Sequence, residues 1–229
     1  MIAKIPGTFS WKVPGFFCVR IDRANRGAII GANPANTFLR RVPQPACLRM
    51  EAILMKHEKL QKMVLAALFA ALTYVATNII HIPTPATNGY VNLGDCMVLL
   101  GAFLLGPVWG AAAGGIGSML ADVLLGYFSY APGTLAIKGL MAVAAALIFR
   151  TAREKTGLTV ASVLGGITAE CIMVLGYFAY ESTLLGYGIS AAASIPGNSV
   201  QGVAGLVLGT ALCQILYHIP LVKRTAQAF

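Results

Sequence analysis

The chain has 229 residues, 57% of them hydrophobic and 11% charged, with a formal net charge of +9 and a mean hydropathy of +0.74. Soluble domains carry roughly 25% charged residues, so this composition excludes a soluble globular protein and predicts an integral membrane protein. Five cysteines (Cys18, Cys47, Cys96, Cys171 and Cys213) stand alone, with no CxxC pair, which argues against a disulfide framework or a structural metal site.

Residues 1–54 differ from the rest. They contribute +6 of the net charge and residues 55–229 only +3. They also lack an apolar run of membrane-spanning length and the pattern of a cleaved signal peptide. One reading is a basic, disordered tail that touches anionic lipid. The other is upstream DNA translated by a mistaken start. The codons for Met50-Glu51-Ala52 can hold a GGAGG ribosome-binding sequence just before Met55, and Met55 opens a stretch typical of a bacterial start (MKHEKLQK). The expected division is therefore a non-native or disordered extension over 1–54 and one helical membrane domain over 55–229, with Met55 the expected start.

From Leu60 to His218 the chain reads as six apolar segments. The first, about Leu60–His81, repeats small residues as Ala66/Ala70 and Ala67/Ala71, a spacing that lets another helix approach closely. Spacing alone leaves packing within the bundle and docking of a partner equally open. Ile82–Asn92 (IPTPATNGYVN) reads as an irregular loop. Segment two (about Leu93–Leu105) turns at Gly106-Pro107 into segment three (about Val108–Tyr127), which is rich in glycine. Segment four covers about Thr134–Phe149, and a basic loop, Thr151–Gly157, leads to segment five (about Leu158–Tyr180). A long loop then precedes segment six (about Asn198–His218).

Charge gives the topology. Eight of the nine Lys/Arg residues beyond residue 54 flank the first segment or follow the fourth and sixth, and cytoplasmic loops are the ones enriched in Lys and Arg. An all-α bundle of six transmembrane helices with both termini cytoplasmic satisfies this count. It places Asp95, Asp122, Lys138, Glu170, Glu181, Asn198 and Gln201 toward the outer side, where they suggest a pocket that captures something from outside. Polar groups in the hydrocarbon usually face the interior and have a role.

Asp122 and Lys138, at similar depth, are candidates for a structural ion pair, and either could also meet a polar ligand. Glu170 is the deepest acid and reads as a ligand acceptor or a packing group. Asn198 and Gln201 lie one turn apart, suited to hydrogen bonding a heterocycle, although Asn198 could equally cap its helix. Tyr90, Tyr127, Tyr130, Tyr177 and Tyr180 cluster at the outer level as interfacial residues, with one or two available to stack on a flat ligand. The chain has no GxxxxGK[ST] loop, no HExxH and no GxSxG motif, so it is not expected to hydrolyse ATP or to act as an enzyme. A stand-alone carrier or channel is the rival reading.

Several motifs occur together and in order: AALFAAL, IPTP, NLGDCMVLLGAFLLGPVWGAAAGGIGSMLADVLLGY, YAPGTLAIKGLMA and IPGNSVQGVAG. With them the chain, over about residues 55–222, resembles the substrate-binding S components of energy-coupling factor (ECF) vitamin transporters, in the riboflavin-type branch. The resemblance implies a six-helix fold in a prokaryotic plasma membrane and an outward-facing vitamin pocket covered by the loop after segment one. It also implies a transmembrane coupling subunit that docks on Ala66, Ala67, Ala70 and Ala71, with two cytoplasmic ATPases driving uptake. The substrate-binding residues it implies are Asn88, Tyr90, Lys138, Glu170, Tyr177, Asn198 and Gln201. Riboflavin, a pyridoxine-like vitamin and a thiamine-precursor pyrimidine all fit this expectation. No cofactor, metal or nucleic-acid partner is expected.

Overall fold

The computed structural model describes residues 8–13, 16–22, 29–31, 44–84, 89–220 and 222, with side chains from Leu60 onward. The chain divides into two compact units, residues 1–60 and 61–229. In the first, β1 (Thr8–Val13), β2 (Phe16–Asp22) and β3 (Ile29–Gly31) form an antiparallel sheet in that order.

The second unit is mostly helical, and the first of its helices begins within residues 1–60. Helix α1 spans Gln44–Ile79, α2 Gly94–Leu125, α3 Ala131–Thr183 and α4 Ile195–Tyr217, with a 3₁₀ turn over Gly188–Ser194 ahead of α4. Each of the four has a stretch long and apolar enough to cross a membrane.

Two of these helices fold back on themselves. Gly106 adopts φ 77° and ψ −174°, and Gly157 adopts φ 85° and ψ 176°, a region essentially open only to glycine. Pro107 reinforces the first break by disfavouring helical geometry at the residue before it. The arms on either side pack together: a Cβ at Gly110 would lie 2.8 Å from Ala102 Cα, and one at Gly165 would lie 2.8 Å from the Ala145 carbonyl oxygen. The basic stretch Thr151–Thr156, expected as a loop, is helical and extends the first arm of α3. It ends where glycine permits the reversal, since nothing before Gly157 breaks the helix.

The first arm of α2 is the centre of the unit. Val98 and Leu99 have no exposed surface, and Phe103, Met141, Phe149, Met173 and Cys213 join them in one core. An element covered on all sides is apolar all round, which explains the unbroken run VLLGAFLL. By contrast α1 is peripheral. Leu60, Met63, Val64 and Leu68 are exposed, whereas Ala66, Thr73 and Thr77 turn inward. The two threonines satisfy their hydroxyls on the carbonyls of Phe69 and Thr73, at 2.8 Å each.

The segment read as an irregular loop contains an antiparallel pair, β4 (His81–Thr84) and β5 (Gly89–Asn92), with Pro83 opposite Tyr90. Proline is tolerated here because a two-stranded ribbon has free edges that need no donor.

Candidate ligand-binding site

At the end of the bundle that carries β4 and β5, the structure gathers buried polar groups from every helix beyond α1. Asp95 sits in the first turn of α2 and is fully buried. Its Oδ1 accepts an ion-paired hydrogen bond from Lys138 Nζ, and its Oδ2 accepts one from Gln201 Nε2 at 2.7 Å. Gln201 Oε1 in turn accepts the backbone N–H of Asn92 at 2.8 Å. A single network therefore joins α2, α3, α4 and the β4–β5 hairpin. Lys138 also lies 5.5 Å from the centre of the Tyr177 ring, a cation–π distance.

The ion pair differs from the one expected. Depth alone suggested Asp122 as the partner of Lys138. The structure gives Lys138 to Asp95, and Asp122 accepts instead from Tyr90 OH at 2.5 Å. The two acids lie on opposite arms of the folded α2, and segment depth cannot tell which of them faces Lys138. Burial, reinforced by the neighbouring Asp122 carboxylate, pushes the Tyr90 phenol well above its ordinary range, so Tyr90 remains a hydrogen-bond donor.

A cavity of about 20 Å³ opens above this network, lined by Gly89, Tyr90, Asn92, Asp122, Tyr130, Thr134, Tyr177, Glu181, Ser194, Asn198 and Gln201. Thr134 and Tyr177 share a hydrogen bond at 2.9 Å. The Glu181 carboxylate accepts from Tyr130 OH at 3.1 Å and from Ser194 Oγ at 2.5 Å. Small-molecule sites are usually 300–1,000 Å³. A ligand of vitamin size therefore requires the lining to move apart. Tyr90 and Asn92 fasten the β4–β5 hairpin through hydrogen bonds to Asp122 and Gln201.

Four of the seven expected binding residues, Tyr90, Tyr177, Asn198 and Gln201, line this cavity. Asn198 is not the helix cap, since the N-cap position of α4 is Ser194. Lys138 is 2% exposed and lies behind the lining, bound to Asp95. Glu170 is buried against Gly202 and Gly205 of α4 with no hydrogen-bond partner for either carboxylate oxygen. Asn88 lies outside the described residues. The expectation omitted Asn92, Thr134 and Ser194 altogether, and it named Asp95 among the outer polar groups but not among the binding residues. Asp95 and Thr134 carried a readable signal, because each is a polar residue at the entrance of an apolar segment. Ser194 had none, since its position follows from the 3₁₀ turn.

A second concavity lies along the outside of the unit. It is an apolar groove of about 570 Å³ between α1 and the second arm of α2. Ala66, Ala67, Ala70 and Ala71 form one wall, and Trp109, Ala112, Ala113 and Ile116 help form the other. Within it Ala66 is buried, Ala70 half-buried, and Ala67 and Ala71 exposed. A Cβ on Gly117 would come within 2.4 Å of the Ala70 carbonyl oxygen, so Ala70 also serves the contact between α1 and α2.

The helical unit thus combines four helices long and apolar enough to cross a membrane with a polar cavity at one end. The profile of the ECF-type riboflavin transporter S component family matches residues 57–218, and the chain belongs to that family. It is 31% identical over 173 residues to HmpT, a thiamine precursor transporter of Lactococcus lactis subsp. cremoris (strain MG1363). That match covers 75% of this chain and 93% of HmpT. It is 42% identical over 142 residues to an uncharacterized Pyrococcus woesei protein from a gap 3′ region, covering 62% of this chain and 92% of the relative. The solved S component of a bacterial ECF transporter shares the fold at a TM-score of 0.54 and 20% identity, over 70% of this chain and 97% of that one.

Proposed function

We propose that this S component captures a water-soluble vitamin or vitamin precursor from outside the cell and delivers it inward with a coupling subunit and two ATPases. The observation that carries the reading is the cavity, where hydrogen-bonding side chains from β5 and from α2, α3 and α4 converge. Likeness to HmpT favours a thiamine precursor over riboflavin or a pyridoxine-like vitamin.

The two hairpin-like helices supply six crossings, with both termini on the cytoplasmic face of the plasma membrane. Support comes from the opposite end of the bundle, where Arg150 lies over the Gly106 turn and Arg153 bonds Tyr217 OH at 3.0 Å. Basic residues at that end and the polar cavity at the other match the positive-inside rule. The exposed alanines Ala67 and Ala71, in the groove with Trp109, are the docking face for the coupling subunit, where small side chains allow close helix approach.

The binding claim is tested by titrating purified protein with vitamins and precursors, alongside Asn198→Ala. Loss of one neutral hydrogen bond costs about 0.5–1.5 kcal/mol, so Asn198→Ala should weaken binding about 2- to 13-fold. Unchanged affinity would remove the cavity mouth from the binding site.

A further inference from the structure

Asp122 has one oxygen occupied and one free. Its Oδ1 takes the Tyr90 hydroxyl, while Oδ2 is buried with no hydrogen-bond partner, on a side chain only 2% exposed in the wall of the cavity. Of the surrounding groups, Lys138 is committed to Asp95 and Glu181 accepts from Tyr130 and Ser194, while Thr134 lies beside Asp122 and shares a hydrogen bond with Tyr177. A buried carboxylate oxygen without a donor is costly, and such an atom in a native fold calls for an explanation. The described lining holds two carboxylates, Asp122 and Glu181, and no Lys, Arg or His.

We propose that Asp122 Oδ2 is the seat of an N–H donor on the ligand, and that the substrate class is a neutral or cationic heterocycle bearing such a donor, above all an exocyclic amino group. Ligands carrying a carboxylate or phosphate are turned away by the same two acids, because like charges brought together in a desolvated site repel. Resting on the reading of this cavity as the vitamin site, the inference adds which chemical edge of the ligand the site selects.

Asp122→Asn is the informative variant. Its amide oxygen still accepts from Tyr90, while its NH₂ group replaces Oδ2 and opposes an incoming donor. The change is isosteric, and an unchanged melting temperature verifies the fold. Binding is measured on the full chain with three probes. The first is 4-amino-5-hydroxymethyl-2-methylpyrimidine; the second replaces its amino group with an isosteric methyl; the third is its phosphate ester.

The wild type should prefer the amino compound by about tenfold or more over the other two, and Asp122→Asn should abolish the preference for amino over methyl. Equal binding of amino and methyl compounds, or tighter binding of the phosphate ester, overturns the donor assignment and leaves the transport reading intact. If the chain binds riboflavin instead, the ring imide supplies the N–H, and Asp122→Asn should weaken that binding about tenfold. Unchanged riboflavin affinity would likewise overturn the proposal. A folded chain that binds none of these compounds fails the vitamin-binding reading itself.

Discussion

Lys138 illustrates how a charge in the membrane is stabilised by its partners. Its ammonium is buried with Asp95, and Gln201 completes the Asp95 carboxylate. Removing one member of a buried pair leaves an uncompensated charge and costs about 3–5 kcal/mol, whereas replacing both is often nearly neutral. Lys138→Met should therefore lower the melting temperature of the detergent-solubilised protein sharply. Adding Asp95→Leu should restore most of it, because no lone charge remains. If the double variant melts as low as the single one, the pair is not what holds these helices. The residue scale is also where the sequence was least informative. Asp122, Glu170 and Lys138 announced themselves as polar residues in apolar segments, but their partners depend on how the arms of α2 and α3 fold back. Asp95 was visible in the NLGD motif, yet its pairing needed the register of three helices.

Among the elements, α1 carries two different small-residue faces. Ala66 and Ala70 turn toward the second arm of α2, while Ala67 and Ala71 look outward. Ala67→Trp with Ala71→Trp should abolish uptake in cells and leave ligand affinity of the isolated protein unchanged. Ala66→Trp should instead lower thermal stability, because a large ring has to displace Leu105 and Ala113 in the small cluster around Ala66. Parallel loss of binding and uptake in the double tryptophan variant would contradict a docking role. The four-residue spacing of alanines could be read directly from the chain. Which pair faces the bundle could not, since spacing fixes a face of the helix and only tertiary packing decides where that face points. The two reversals were easier to place: Gly106-Pro107 broke the apolar pattern locally, and the reversal at Gly157 follows the basic stretch that the charge pattern had already marked.

At the scale of the whole molecule, the family match begins at residue 57 and ends at 218, and the described residues that line the cavity and groove begin at Met63. A chain beginning at Met55 should therefore insert and bind ligand with the same affinity as the full chain, measured by titration of the two purified proteins side by side. A large loss of affinity on truncation would show that residues 1–54 contribute to the site. The apolar character of the segments and the order of motifs were legible because each is a one-dimensional pattern. The cavity was only partly so, because its walls come from residues more than 100 positions apart, such as Asp95 and Gln201. Membership of the ECF S component family implies association with a coupling subunit and ATPases, and we assign the driving of transport to them. The direct measurement is accumulation of a labelled thiamine-precursor pyrimidine in a host without its own uptake system, with this chain expressed alone or together with a coupling subunit and both ATPases. Accumulation against the gradient only when all components are present is the predicted result. Substrate flux through the chain alone, unaffected by an ATPase knockout, would contradict it.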